Sequence, residues 1–166
     1  MILRKATINE APMAFQCILD AKEYMKSLGF MQWDDRYPLI ENIIDDINND
    51  IGFVFCEGDA IVGYLVIFIG DESDYHVIDG AWKTELPYAV IHRLAFSKKF
   101  RGQGLSTQAF MLVKDYCLEH GLDAIRIDTH KDNKVMQRAL EKAGFQYCGG
   151  VSVGGKPRIG FEWDRL

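Results

Sequence analysis

The chain has 166 residues, of which 48% are hydrophobic and 26% charged, and its formal net charge at pH 7 is −5. This length and composition are typical of one globular domain with a sizeable core, so we expect residues 1–166 to form a single domain. An acidic chain is a poor candidate for nucleic-acid binding. The lack of long apolar runs and of a signal-peptide pattern predicts a cytoplasmic protein that makes no membrane contact.

The four cysteines lie within apolar stretches, and none belongs to a closely spaced pair. They are Cys17, Cys56, Cys117 and Cys148. Wide spacing in such surroundings favours buried, reduced thiols over disulfides or a zinc site. The four histidines also lack the spacing of metal ligands, so we expect no bound metal.

The chain begins with a strand candidate, residues 2–7, followed by a helix. Thr7 and Glu10 have the spacing of a capping box, and Pro12 suits the first turn of a helix. Apolar residues then recur at helical spacing until Gly29, which predicts that the helix ends there.

An aromatic-rich loop, residues 30–38, separates this helix from a second one that carries four isoleucines on one face between residues 40 and 47. The runs 53–56 and 61–69 flank a short turn and predict an antiparallel hairpin. The second of these strands is apolar throughout, as expected for a central strand covered on both faces. Residues 70–87 form a long connection without a predicted element, and such connections tend to be functional.

The second half continues with a strand over residues 88–96 and a basic, glycine-containing turn. The later elements are a helix from Leu105 that closes at Gly121, a strand at 124–128, a helix at 136–143 capped by Gly144, and strands at 145–148 and 158–163 joined near Gly154. The order β α α β β β α β α β β predicts an α/β (α+β) fold. We expect a mixed, mostly antiparallel, twisted central sheet of about six to seven strands, with helices on both faces.

The stretch from Ala89 to Tyr116 carries the clearest functional signal. Its apolar strand leads into Lys98-Lys99-Phe100-Arg101-Gly102-Gln103-Gly104 and then into an amphipathic helix. The first amides of a helix lack intrahelical partners and the helix dipole favours an anion there, while glycines allow the backbone to approach it closely. This pattern predicts a phosphate-binding turn. No Gly-Lys-Ser/Thr follows, which excludes a Walker-type nucleotide site.

This segment, together with a later strand, Asn133 and a helix that ends at Gly144-Phe145, resembles the GNAT superfamily of acetyl-CoA-dependent N-acetyltransferases. The phosphate loop of that superfamily, Arg/Gln-x-x-Gly-x-Gly/Ala, aligns with residues 101–106 of this chain. Ser106 occupies a position where glycine or alanine is usual. The six-residue pattern is weak by itself, but its combination with the downstream strand, asparagine and helix is specific.

The resemblance implies a set of residues that contact acetyl-CoA. They are Leu94, Ala95, Phe96, Arg101, Gly102, Gln103, Gly104, Leu105, Ser106 and Asn133. The amides of residues 101–106 would hold the pyrophosphate, with Arg101, Lys98 or Lys99 screening its charge. The backbone of residues 94–96 would pair with the pantetheine arm, Asn133 would bind that arm from the other side, and a backbone N–H near Leu94 would stabilise the oxyanion.

Two catalytic positions depart from the family pattern. Many members carry a tyrosine general acid seven residues after the asparagine, where this chain has Leu140, which cannot donate a proton. A CoA thiol with a pKa of about 8.5 leaves as thiolate without much help, and Tyr147 or a water molecule is an alternative donor. Members often use a glutamate of the strand before the phosphate loop as general base, whereas this strand offers His92, a suitable base unless it is a core histidine bonded to the backbone.

The acceptor pocket is expected to come from the aromatic loop and the 70–87 segment, with Gln32, Trp33, Tyr37 and Trp82 as candidates. Aromatic rings and carboxylates together suit a small amine. Packing of Trp33 and Trp82 against the sheet is an equally good interpretation.

The resemblance implies direct transfer of an acetyl group from acetyl-CoA to an amine, and the two aromatic segments favour a small-molecule acceptor. The alternative is an acyl-CoA-binding regulatory module with lost or weak transferase activity, which Leu140 and the missing glutamate suggest. The final hairpin is a candidate for pairing in a homodimer.

Overall fold

The computed structural model describes residues 1–166, which form two compact units. The first unit comprises Met1–Ile67 and His92–Leu112, and the second comprises Phe68–Ile91 and Val113–Leu166. The strands are β1 (Ile2–Lys5), β2 (Gly52–Glu57), β3 (Ala60–Ile69), β4 (Asp79–Gly80), β5 (Tyr88–Phe96), β6 (Ala124–Thr129), β7 (Gln146–Val153) and β8 (Lys156–Asp164). The helices are α1 (Ala11–Ser27), α2 (Ile40–Asn48), α3 (Leu105–Glu119) and α4 (Lys134–Lys142).

The strands form one open sheet in the order β1-β2-β3-β5-β6-β8-β7-β4. β5 and β6 are parallel and are joined by a crossover that contains α3, while β1–β2, β2–β3, β6–β8, β7–β8 and β4–β7 are antiparallel. The predicted fold class, a mixed and mostly antiparallel sheet flanked by helices, is confirmed. The sheet has eight strands, where the sequence indicated six to seven, because the two-residue strand β4 is too short to produce a periodic pattern.

In the first unit, α1 and α2 pack together and the buried side chains of β2 and β3 complete the core. The predicted start of α1 is confirmed, since the Glu10 carboxylate accepts a hydrogen bond from the Thr7 N–H at 2.8 Å. A 3-10 turn, Ile8–Glu10, leads from this cap into the helix. The predicted β2–β3 hairpin is also present, and residues 62–67 of β3 are buried, as expected for a central strand.

In the second unit, β7 and β8 form the predicted hairpin around Gly154-Gly155, and β8 also pairs with β6. β4 pairs with β7 at Gly80 and Gly149, where the backbones come so close that a side chain does not fit. A Cβ on Gly149 would lie 2.2 Å from the Asp79 carbonyl oxygen, and one on Gly80 would lie 2.1 Å from the Cys148 carbonyl oxygen. The 70–87 segment is therefore structured, although its sequence shows no regular pattern.

The four cysteines are all buried, as the sequence predicts. Burial raises the pKa of the Cys17 and Cys117 thiols to about 12, and it also raises the pKa of Cys56 and Cys148. Because the thiolate is the reactive form, these side chains are poor nucleophiles at neutral pH. None of the four α-helices combines the length and the apolar composition that crossing a bilayer requires.

Candidate functional site

The loop 97–106, which contains the predicted phosphate-binding residues 101–106 and is called the phosphate loop below, connects β5 to α3 in the first unit. A 3-10 turn, Lys98–Phe100, comes first, and α3 begins at Leu105, so that Ser106 lies in its first turn. Gly102 and Gly104 have φ values of +79° and +72°, which only glycine adopts without strain, and a Cβ at either position would contact nothing within 4 Å. The loop therefore exposes its backbone, at glycines 102 and 104 and at Gln103, beside a helix N-terminus.

Asp20 of α1 anchors the start of this loop. Its side chain is buried, and its carboxylate accepts hydrogen bonds from the Lys98 N–H at 2.9 Å and from the Gln16 side-chain amide at 2.9 Å. The Asp20 carbonyl oxygen also accepts a hydrogen bond from the Arg101 guanidinium at 3.0 Å. Sequence reasoning missed Asp20, although a carboxylate three residues after Cys17, at the edge of the apolar stripe of α1, was an available signal.

The cationic side chains of the loop contact α1 as well. The Arg101 guanidinium lies over the Tyr24 ring, 4.0 Å from its centroid, and the Lys98 ammonium lies 3.6 Å from the Glu23 carboxylate. The Gln103 side chain donates to the Lys99 carbonyl oxygen at 3.3 Å. These contacts fix the loop from the side of α1 and leave its backbone amides as the groups best suited to an anion.

The strand segment His92–Phe96 precedes the loop in the same unit. Ala95 is buried, and the Phe96 ring stacks on Phe55 with 5.7 Å between centroids. His92 and Leu94 are half-buried. The register between β5 and β6 runs from Tyr88 opposite Ala124 to Ile91 opposite Ile127, so the segment begins where that register ends.

The aromatic loop, residues 30–38, belongs to the first unit and is held by one contact within the loop and one at its C-terminal end. Asp34 and Tyr37 form an isolated bridge, and the Lys22 ammonium donates to the Pro38 carbonyl oxygen at 2.7 Å. Partial burial of Lys22 lowers its pKa. Of the predicted acceptor residues, Gln32 and Trp33 are half-buried and Tyr37 is 42% exposed.

Asn133 and Trp82, the remaining predicted contact residues, belong to the second unit. Asn133 is the N-cap of α4, and its side-chain oxygen accepts a hydrogen bond from the Met136 N–H at 3.1 Å. Leu140, on the same helix, is completely buried. A core side chain therefore stands where many family members carry the tyrosine acid. Tyr147 is 56% exposed and packs edge-on against Phe161.

Trp82 takes part in packing within the second unit. Its indole N–H donates to the Tyr75 carbonyl oxygen at 2.9 Å, and its ring contacts the Tyr75 ring at 5.0 Å between centroids. The Arg126 guanidinium lies over Trp82 at 4.5 Å and over Tyr88 at 3.9 Å. These contacts agree with the packing interpretation of Trp82, and its contact with an acceptor stays a prediction.

A buried ion pair holds the chain just after Trp82. The carboxylate of Glu162, which is fully buried, accepts from the Arg126 Nε at 3.0 Å, the Lys83 N–H at 3.2 Å, the Thr84 N–H at 3.0 Å and the Thr84 hydroxyl at 2.6 Å. The Arg126 guanidinium also donates to the Thr84 carbonyl oxygen at 2.8 Å. Residues 82–84 are thus fixed to β6 and β8, a pairing that was not predicted from the sequence.

The structure contains no group of three or more His, Cys, Asp or Glu side chains arranged to hold a metal ion. The first unit brings together the phosphate loop, the segment His92–Phe96 and the aromatic loop. This set combines exposed backbone amides, a histidine and aromatic side chains. It can therefore bind an anion through its backbone and offers one candidate base for proton transfer.

Comparison with known proteins gives matches over nearly the whole chain. The model of the acetyltransferase (GNAT) family matches residues 18–145. A GNAT-family acetyltransferase structure from Streptococcus agalactiae 2603 is 33% identical, with a TM-score of 0.88, over 99% of this chain and 95% of that chain. A putative acetyltransferase from Staphylococcus aureus Mu50 is 28% identical, with a TM-score of 0.72, over 99% of both chains.

A more distant similarity is to the aminoglycoside acetyltransferase AAC(6')-Ib, solved in complex with coenzyme A and kanamycin. It is 19% identical over 99% of this chain and 94% of that chain, with a TM-score of 0.71, and at this identity the similarity shows a shared fold. The search of curated proteins found no match.

Proposed function

Because this chain belongs to the acetyltransferase (GNAT) family, we propose that it transfers the acetyl group of acetyl-CoA directly to the amine of a small-molecule acceptor. Family members use acetyl-CoA, and the observation that carries the proposal is the phosphate loop. Gly102 and Gly104 adopt left-handed backbone conformations in an exposed turn at the N-terminus of α3. Backbone amides in such a turn suit a pyrophosphate.

Binding of acetyl-CoA is assigned to two segments of the first unit. The amides of residues 101–106 hold the pyrophosphate, and Arg101 and Lys98 contribute positive charge next to it. The backbone of Leu94–Phe96 pairs with the pantetheine arm, which its place beyond the end of the β5–β6 register supports. Asn133, at the N-terminus of α4 in the second unit, is assigned to acetyl-CoA from the family pattern alone.

Proton transfer and charge stabilisation are assigned to His92 and to the N–H of Leu94. An amine with a pKa of about 10 is mostly protonated at neutral pH and must lose a proton before it attacks the thioester. His92 accepts that proton, and the Leu94 N–H donates to the thioester oxygen as negative charge develops on it. The CoA sulfur departs as a thiolate, since Leu140 is buried and has no proton to give.

The acceptor is assigned to the aromatic loop, through Gln32, Trp33 and Tyr37. Aromatic rings attract cations as well as providing apolar contact, which suits an amine. The fold is shared with the aminoglycoside acetyltransferase AAC(6')-Ib, which was solved with kanamycin. Aminoglycosides are therefore the first acceptors to test. The panel of acceptors should also include amino acids, simple diamines and short peptides.

Two measurements test the proposal. Acetyl-CoA is expected to raise the melting temperature of the protein, and ATP is not. Release of the CoA thiol is then followed with each amine of the panel, and at least one acceptor should give turnover that falls at least tenfold in His92→Ala. Stabilisation by acetyl-CoA without thiol release on any amine would instead support a binding module without transferase activity.

A further inference from the structure

Arg93 has an unusual backbone conformation for its place in the fold. It lies within β5, between His92 and Leu94, and has a φ of +53°. A bulky residue in this region costs about 1 kcal/mol or more, and it persists where surrounding contacts hold it. A left-handed residue also interrupts the alternation of peptide directions along a strand, so the direction of the Leu94 N–H depends on Arg93.

The Arg93 side chain is held by a buried carboxylate. Its Nε donates to Asp46 Oδ2 at 2.8 Å, and a second guanidinium nitrogen donates to Asp46 Oδ1. The Tyr64 hydroxyl, completely buried on β3, donates to the same Oδ2 at 2.7 Å. Asp46 is itself buried on α2, so this two-point ion pair is shielded from water and geometrically specific.

The same guanidinium reaches the aromatic loop. Its third nitrogen donates to the Tyr37 hydroxyl, and the guanidinium lies 5.9 Å from the centroid of that ring. One side chain therefore joins the backbone kink next to Leu94, the helix α2 and the loop that contains Gln32 and Trp33. All of these groups belong to the first unit.

We propose that Arg93 is a positioning residue, whose buried pairing with Asp46 and hydrogen bond to Tyr37 fix both the aromatic loop and the Leu94 N–H that donates to the oxyanion. The inference rests on the proposed function, because it assigns a role within the same site. Arginine is needed for this, since lysine has one nitrogen and cannot hold a carboxylate at two points while reaching a third group.

Two variants separate the effect of the Arg93–Asp46 ion pair from that of the Arg93–Tyr37 hydrogen bond. Arg93→Lys should lower kcat about 10- to 100-fold, with a smaller loss of acetyl-CoA affinity, because loss of two-point pairing releases the kink beside Leu94. Tyr37→Phe removes only a hydroxyl from a partly exposed ring, and it should raise the acceptor KM about three- to tenfold with kcat little changed. Arg138→Lys, on the exposed face of α4, is the matched control and should leave all constants within about twofold.

Amide hydrogen exchange on the unliganded proteins provides a readout that does not require activity. In Arg93→Lys, amides of residues 30–38 and 92–96 should exchange faster together, while those of β6 stay unchanged. Unchanged exchange in both segments, or an unchanged kcat in Arg93→Lys, overturns the positioning role. If both segments exchange faster in Arg93→Lys but the wild-type protein acetylates no amine, the proposed function is contradicted, and with it the catalytic part of this role.

Discussion

Replacing Glu162 with glutamine tests whether a buried ion pair fixes residues 82–84 in the second unit. Glutamine keeps the size of the side chain but replaces one carboxylate oxygen with an NH2 group. In the wild type, Oε2 accepts from the Lys83 N–H at 3.2 Å and from the Arg126 Nε at 3.0 Å. If the amide oxygen keeps the two bonds from Thr84, the new NH2 faces two donors, and the buried Arg126 loses its charged partner.

The expected loss is large for a single isosteric change. Breaking a buried ion pair on one side costs about 3–5 kcal/mol because the remaining charge is uncompensated. For a chain of this size 1 kcal/mol lowers Tm by about 2–4 °C, so Tm should fall by about 6–20 °C. Urea denaturation followed by circular dichroism measures the free energy of unfolding. Glu141→Gln, exposed on α4, is the matched control and should stay within about 0.5 kcal/mol of the wild type.

A second substitution checks the cause of the loss. Arg126→Gln in the Glu162→Gln background removes the orphaned charge, so the double variant should be more stable than the sum of the two single losses implies. A loss below about 1 kcal/mol in Glu162→Gln, or strict additivity in the double variant, would show that the substitution leaves no uncompensated charge on Arg126.

Three further predictions concern the phosphate loop, the β4–β7 pairing and the N-terminal cap. Asp20→Asn should raise the KM for acetyl-CoA about tenfold, with kcat near wild type in steady-state assays, because the Lys98 N–H loses a charged acceptor worth about 1.5 kcal/mol. Gly149→Ala should lower the free energy of unfolding by at least about 2 kcal/mol, whereas Gly150→Ala, whose Cβ would lie 3.8 Å from its nearest neighbour, should change it by less than about 1 kcal/mol. Hydrogen bonds from Arg4 lower the pKa of Glu10 from its ordinary 4.5 to about 2, so its stabilising contribution is present above pH 4.5 and is lost as the pH falls toward 2. An NMR titration that finds an ordinary pKa for Glu10 would contradict this.

Local signals in the sequence were sufficient for most of the fold. The Thr7–Glu10 cap, the glycines that follow α1, α3 and α4, and the β7–β8 turn all act over a few residues, and the structure has each of them where expected. The strand–loop–helix pattern from β5 to α3 predicted an exposed glycine-containing turn, and its backbone conformation agrees. In each case the residues that determine the structure are neighbours in the chain.

The contacts that sequence reasoning missed join residues far apart in the chain. Asp20 bonds to Lys98, Asp46 to Arg93, and Glu162 to residues 83, 84 and 126. The local pattern does not show which donors each buried acid binds, because tertiary packing determines those partners. A signal did exist, since acids on the apolar faces of α1 and α2 and within β8 are costly to bury without a partner.

Mass spectrometry of a reaction with acetyl-CoA and the best acceptor of the panel distinguishes direct transfer of an acetyl group to an amine from the other outcomes. Direct transfer predicts an acceptor heavier by one acetyl group, formed in equal amount with free CoA, together with a protein of unchanged mass. It also predicts intersecting lines in double-reciprocal plots of initial rate, as a ternary complex requires. An acetylated protein with parallel lines, or CoA release without acetylated acceptor, would contradict it.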